Sequence, residues 1–269
     1  MKHTKKSGFT LVELAIVLVI IGLIIGGVLV GQDLIKAAEI RNASSQVEKY
    51  NTAATAFRTK YDGFPGDLAA ARATNFGLAP AARPGTDGLG DGDGLLENGA
   101  TVADKQGLGG EALLFWRDLT SAQFISEGFD TAPNTVAAAL ADDAAVANMV
   151  PNLRLRESAD IHATAINGRN YYYIAAISVV AVTTGAPTTE AGALSPSEAE
   201  NIDSKVDDGV PGTGVFRAHD NFAGARTLAA ATAAAPAIGV CVSNATGNPY
   251  NLSVAADDVN CRVTWRTSF

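Results

Sequence analysis

Residues that carry chemistry are scarce in this chain of 269 amino acids. There are two cysteines and three histidines, and none of them forms a CxxC or Cys/His cluster, which argues against a zinc site. His3 belongs to the first eight residues, so only His162 and His219 remain, far apart in sequence. No GxSxG, HExxH or Walker sequence occurs. The sequence therefore reads as a non-enzyme, with both histidines at the surface or satisfied by hydrogen bonds. Aromatic residues make up 7% of the chain against 47% hydrophobic residues in all, so a core has to be built largely from small side chains. Positive charge is also short. Lys and Arg total 20 against 28 Asp and Glu, a formal charge of −8, and the balance is more acidic still without Lys2, Lys5 and Lys6. Such a surface argues against broad nucleic-acid binding, which needs phosphate neutralisation.

What the chain does have is one long hydrophobic run. From Phe9 to Val30 the clearly polar residues are Thr10 and Glu13. At about 1.5 Å per residue a helix of this length crosses a hydrocarbon core of about 30 Å. Lys2, Lys5 and Lys6 flank its start, which places the N-terminus in the cytoplasm. No Ala-x-Ala site follows the run, so it does not read as a signal peptide cut after its apolar region. A carboxylate at the centre of such a span costs roughly 2.5–3.5 kcal/mol. Glu13 therefore either reaches headgroup water or has a cationic partner.

Gly8-Phe9-Thr10-Leu11-Val12-Glu13, followed by an apolar helix, resembles the class III signal of type IV pilins and type II secretion pseudopilins. The resemblance implies that a prepilin peptidase cuts between Gly8 and Phe9 and methylates the new amino group of Phe9. It implies that Glu13 faces the N-terminal amine of a neighbouring subunit and sets register, a pairing that makes a buried charge tolerable. The implied fold is α+β. A long N-terminal helix, apolar in its transmembrane half and amphipathic in the next, packs on a globular head with an antiparallel β-sheet and short helices. The implied segments are a leader at 1–8, the long helix at 9–61 (its membrane or fibre-core part 9–30) and a head at 62–269. The implied partners are copies of itself or other pilins, the peptidase, an inner-membrane assembly platform and the inner membrane. The final place is an extracellular pilus or a periplasmic pseudopilus. A tip adhesin or a DNA-uptake subunit delivered on a pilin stem is a further reading.

Gly22, Gly26, Gly27 and Gly31 weaken the helix, since each costs up to ~1 kcal/mol against alanine. They suit either close helix packing in lipid or, by resemblance, partial unwinding in a fibre. Ile40, Ala43, Val47, Tyr50, Ala54, Phe57 and Tyr61 then recur at alternating spacings of three and four, one apolar helical face. Arg41, Ser44, Gln46, Glu48, Lys49, Arg58 and Lys60 form the polar side. Asp62-Gly63-Phe64-Pro65-Gly66 ends the helix, with glycine as its C-cap. Asp67 reads as the N-cap of a short helix over Leu68–Thr74. Glu111 to Ala122 reads as an amphipathic helix with Ala112, Phe115, Leu119 and Ala122 inward and Trp116 in the core or at an interface. With the FPGD turn, it resembles pilin-like proteins with large heads.

Residues 130–160 are alanine-rich, and Val136 to Met149 is either a helix or an inserted excursion. Residues 171–183 are the best strand signal. Val215–Ala218, Ile238–Val242 and Arg262–Trp265 look like further strands, while 183–193 and 223–235 read as loops. Ser195-Pro196-Ser197-Glu198 predicts a capped helix start, with the helix ending near Asp207-Asp208-Gly209.

Two acidic groups need a reading. Asp87, Asp91, Asp93 and Glu97 lie among glycines that let carboxylates converge on a hard cation such as calcium. Their spacing is not that of an EF-hand, and a solvated acidic loop is the other reading. A phosphate cradle at Gly88–Gly92 is rejected, because no strand precedes it and its acids repel phosphate. Asp203, Asp207 and Asp208 could likewise help to bind a cation or simply solvate a helix end. With the head in an oxidising compartment, Cys241 and Cys261 are expected to pair, as the resemblance also implies. Two free buried thiols are the alternative.

Overall fold

The computed structural model describes residues 10–78, 90–97, 110–129, 148–156, 158–166, 168–180, 187–219, 240–243, 249–254 and 258–269. It divides into two compact units, Met1–Arg41 and Asn42–Phe269. Helix α1 spans Leu11–Tyr61 and contributes to both. In the first unit the helix runs unbroken through Gly22, Gly26, Gly27 and Gly31, each with open space where a Cβ would stand. Its leucines, isoleucines and valines from Leu11 to Ile35 are exposed. It is the one described helix long and apolar enough to cross a membrane, with a mean hydropathy of 3.0 over its most apolar window.

In the second unit the periodic face becomes core. Ala43, Val47, Tyr50, Ala54, Phe57 and Tyr61 are all buried, as is Ile40 before them. The polar side is less simple than its sequence. Gln46 is buried, donates to the Asn152 carbonyl at 2.8 Å and accepts the Arg154 N–H at 2.8 Å. A side-chain amide can be buried on a helix when both its ends are matched in this way. The residue that turns the chain after α1 is Asp62, not a glycine. Its φ is +54° and its N–H donates to the Arg58 carbonyl at 2.8 Å.

Helix α2 (Ala70–Asn75) begins later than the sequence suggested, at Ala69, with no side-chain cap. Asp67 turns inward instead. Helix α3 (Glu111–Ser121) is buried almost all round, with Trp116 fully covered, while Ala122 is its half-buried C-cap. Trp116 stands edge-on to Tyr50 at 4.8 Å and stacks with Tyr172 at 6.0 Å.

The sheet contains β1 (Asp160–Ile166), β2 (Arg169–Val180), β3 (Pro187–Ala191), β4 (Phe216–His219) and β5 (Arg262–Arg266). The order is β1-β2-β5-β4, all pairs antiparallel, and β3 pairs with the far end of β2. Helix α4 (Pro196–Val206) lies between β3 and β4 in the chain and opens on a capping box between Ser195 and Glu198. Two strands go beyond the sequence reading. Apart from Asp160, β1 lies beyond the alanine-rich region at 130–160 in a stretch with no sequence expectation, and β3 falls where a loop is expected. Val242 forms only an isolated bridge to Tyr250, not a strand. The expected segments at 136–147 and 223–235 lie outside the described residues.

Side chains alternate across the sheet, and the two faces differ in kind. Ala163, Tyr172, Trp265 and Phe216 stand opposite one another in one row, on the face that meets Phe115 and Trp116. The row beside it, on the other face, is His162, Tyr173, Thr264 and Arg217. That row is polar, yet His162, Tyr173 and Thr264 are buried.

Candidate functional site

The N-terminal end of α1 is held by a reciprocal cap. Glu13 Oε2 accepts the Thr10 N–H at 2.8 Å and the Thr10 hydroxyl at 2.9 Å, while the Glu13 N–H donates to Thr10 Oγ1 at 3.2 Å. This is the Ser/Thr-x-x-Glu box that starts helices. Thr10 is a residue the sequence reading passed over, although its spacing from Glu13 carries the signal. The carboxylate is thus satisfied within its own chain, and the apolar side chains beyond it find no cover in unit Met1–Arg41. Gly8 and Phe9 lie outside the described residues.

A second centre lies where the FPGD turn, the acidic loop and α3 meet. Asp67 Oδ1 accepts the Gly92 N–H at 2.7 Å and Oδ2 the Gly94 N–H at 2.8 Å. Two backbone donors from the glycine loop therefore take the place of the single N-cap bond that the sequence suggested. Glu111 accepts from Gly90 N–H at 2.6 Å and from Glu97 N–H at 2.9 Å. Burial pushes Glu111 up to about 9 and Asp67 up to about 7, against the pull of these N–H groups, and Asp91 adds repulsion to both.

Asp67, Asp91 and Glu111 bring carboxylate oxygens within 4.8 Å of one another, and so do Asp91, Asp93 and Glu97. The structure gathers three of the four residues expected at a cation site and adds Asp67 and Glu111. Asp87 lies outside the described residues. The donor set is all oxygen, which suits calcium. It equally serves as a frame for the loop, since Asp91 and Asp93 also accept the N–H groups of Asp93 and Leu95 two residues on.

Cys241 and Cys261 form a buried disulfide with Cα atoms 5.0 Å apart. His162 and His219 correct the expectation of surface or satisfied residues. Both are buried, and both are pushed down to about 3, by burial in each case and for His219 by Arg262 and Arg217 as well. Neither nitrogen of His162 has a hydrogen-bond partner among the described residues, nor has His219 Nε2. Among the described residues, one hollow lies beside Lys49 and Glu127 and another along Glu48, Thr52 and Thr55, and neither is lined by a histidine or a cysteine.

Comparison with known families finds one match, at the start of the N-terminal helix. Residues 3–29 match the prokaryotic N-terminal methylation motif. The chain carries a class III prepilin signal. This prepilin signal supports a type IV pilin- or pseudopilin-like precursor, and the long apolar helix with its mixed head matches a pilin-like α+β fold. The prepilin signal and the apolar helix fit membrane anchoring, processing by a prepilin peptidase and assembly with other pilins. No curated protein and no solved structure matches the chain.

Proposed function

We propose that this precursor is a structural subunit of a type IV pilus-like fibre. A prepilin peptidase cuts it between Gly8 and Phe9 and methylates Phe9. The helix first lies in the inner membrane, with the N-terminus cytoplasmic and the head periplasmic, and then packs against the helices of neighbouring subunits. The observation that carries this reading is the uncovered apolar surface from Leu11 to Ile35, most of it within the methylation motif matched at residues 3–29. Glu13 exchanges its bonds to Thr10 for the Phe9 amine of the next subunit, which sets the register of packing. A buried charge is tolerated when it is paired and costly when it is alone.

The test is the intact mass and N-terminal sequence of the protein from sheared extracellular material and from washed membranes. A chain beginning at N-methylated Phe9 in the sheared fraction supports a fibre subunit. The processed chain confined to the envelope points instead to a type II secretion pseudopilin or a minor subunit. An uncut chain in cells that hold the peptidase overturns the reading. Glu13→Ala is expected to be processed normally and to assemble poorly, and a normal fibre yield from it would refute the role in register.

A further inference from the structure

We infer that the C-terminal end of α4 and the loop behind it form a calcium site held by Asp203, Asp207 and Asp208. One carboxylate oxygen from each lies within 4.8 Å of the other two. No lysine or arginine forms a salt bridge with any of them among the described residues, although Arg217 attracts Asp208 from beyond salt-bridge distance. Three carboxylates so close together repel one another, and a divalent cation relieves that repulsion.

The second observation is an unmatched buried oxygen. Asp203 is fully buried. Its Oδ2 accepts the Tyr250 hydroxyl at 2.8 Å, but its Oδ1 has no hydrogen-bond partner. This sets the triad apart from the joint around Asp67 and Glu111, where both oxygens of each carboxylate already accept N–H groups. An orphaned buried acceptor calls for a partner. A hard cation beside two further carboxylates supplies one.

The other two ligands are held in place. Asp207 Oδ2 accepts the N–H groups of Val215 and Phe216. Asp208 accepts the Val210 N–H at 2.9 Å through Oδ1 and the Thr213 hydroxyl through Oδ2. Gly214 sits at φ +72°, where a Cβ would overlap the Asp207 carboxylate. Asp207 and Asp208 are not buried, so water completes the six to eight oxygens that calcium takes. An open site of this kind belongs to the weak class, with Kd of ~10⁻⁴–10⁻³ M. Filled, it ties α4 to β4 and, through Tyr250, to the segment beside Cys241.

The test is calcium titration of the detergent-solubilised full chain, stripped of metal by a chelator and followed by its thermal unfolding midpoint. The wild-type midpoint is expected to rise with calcium in the range above. Asp208→Asn keeps the shape of an exposed residue and an acceptor for the Val210 N–H, its amide N–H donating to the Thr213 hydroxyl in place of the bond received there, and is expected to weaken the response at least tenfold. Asp203→Asn is expected to abolish it, and Glu39→Gln, exposed on α1, to leave it unchanged. Terbium(III) bound there is expected to luminesce on excitation of tyrosine, and Tyr250→Phe to lose that signal. No shift at about 10 mM calcium, well above that Kd range, overturns the proposal. So does a shift that Asp208→Asn keeps, or one that Glu39→Gln removes. If Asp203→Asn does not fold, Asp208→Asn decides alone.

Discussion

The Gly66 N–H donates to the buried carboxylate of Asp118 at 2.7 Å, fastening the turn after α1 to the middle of α3. The close approach depends on glycine. Gly66 lies at φ +88°, and a Cβ there would overlap the Glu111 carbonyl oxygen. Gly66→Ala is expected to cost about 2–4 kcal/mol, combining backbone strain with a steric clash. Asp118→Ala leaves a buried N–H without its acceptor and is expected to cost about 1–3 kcal/mol. Urea unfolding of the full chain checks both, and a wild-type midpoint for Gly66→Ala would show that the turn can move.

Stability against pH should be a plateau with two falling sides. His162 and His219 have an ordinary value of 6.5 and are held down to about 3 in the fold. Below pH 6.5 the unfolded chain binds their protons and the folded chain does not, so stability is lost between 6.5 and about 3. Glu111 and Asp67 work the other way. The fold holds their protons up to about 9 and about 7, where the unfolded chain has released them near 4.5 and 3.8. That contribution is full in acid and is lost as pH rises through those folded values. Between about 4.5 and 6.5 the two sets offset each other at about 1.4 kcal/mol per proton and pH unit, and the proton that burial holds on Asp203 up to about 6 tilts the plateau gently down toward that pH. Denaturant unfolding across the range tests this, and stability that climbs steadily past pH 8 would contradict it. His162→Leu should reduce the acid slope by one proton.

The start of α4 offers a cleaner measurement. Ser195 Oγ accepts the Glu198 N–H at 3.3 Å, and the Glu198 carboxylate accepts the Ser195 N–H at 2.8 Å. Ser195→Ala is expected to cost about 1 kcal/mol. Glu198→Ala should cost more, because Glu198 also takes three hydrogen bonds from Arg156. Equal midpoints for the two variants would show that the Arg156 pair contributes nothing.

Reducing the Cys241–Cys261 bridge should destabilise unit Asn42–Phe269 by ~3 kcal/mol on the chain-entropy model for a separation of this length. The comparison is unfolding with and without a reductant, and with both cysteines replaced by serine as a check on the reagent.

The stripe from Ile40 to Tyr61 was legible because each of its residues is apolar and the helical period repeats without interruption. Ser195-Pro196-Ser197-Glu198 was legible because the cap is local chemistry. β1 was not. Its sequence, DIHATAI, places His162 and Thr164 on a buried polar face, so the alternation that marks a strand has no solvent side to reveal it. Asp67 was misplaced for a related reason. A sequence shows that an aspartate precedes a helix, but not that two distant glycine N–H groups compete for it. Glu111 and Gln46 look like surface residues until the partners that bury them are known. At the N-terminus the match of residues 3–29 makes the prepilin signal readable, whereas the convergence of Asp67, Asp91 and Glu111 depends on three separate segments.

In the sheet, β5 lies between β2 and β4, although it is the last described strand in the chain. During synthesis β1 and β2 can pair as a hairpin, but β4 has no sheet neighbour until residues 262–266 emerge. The partner of Cys241 emerges just before them. Until then the described part of the sheet has an open edge at β2 and Cys241 lacks its partner, a state exposed to chaperones and proteases. Closure of the described sheet and of the disulfide thus waits on one short segment, and a cut before Cys261 would leave both open at once.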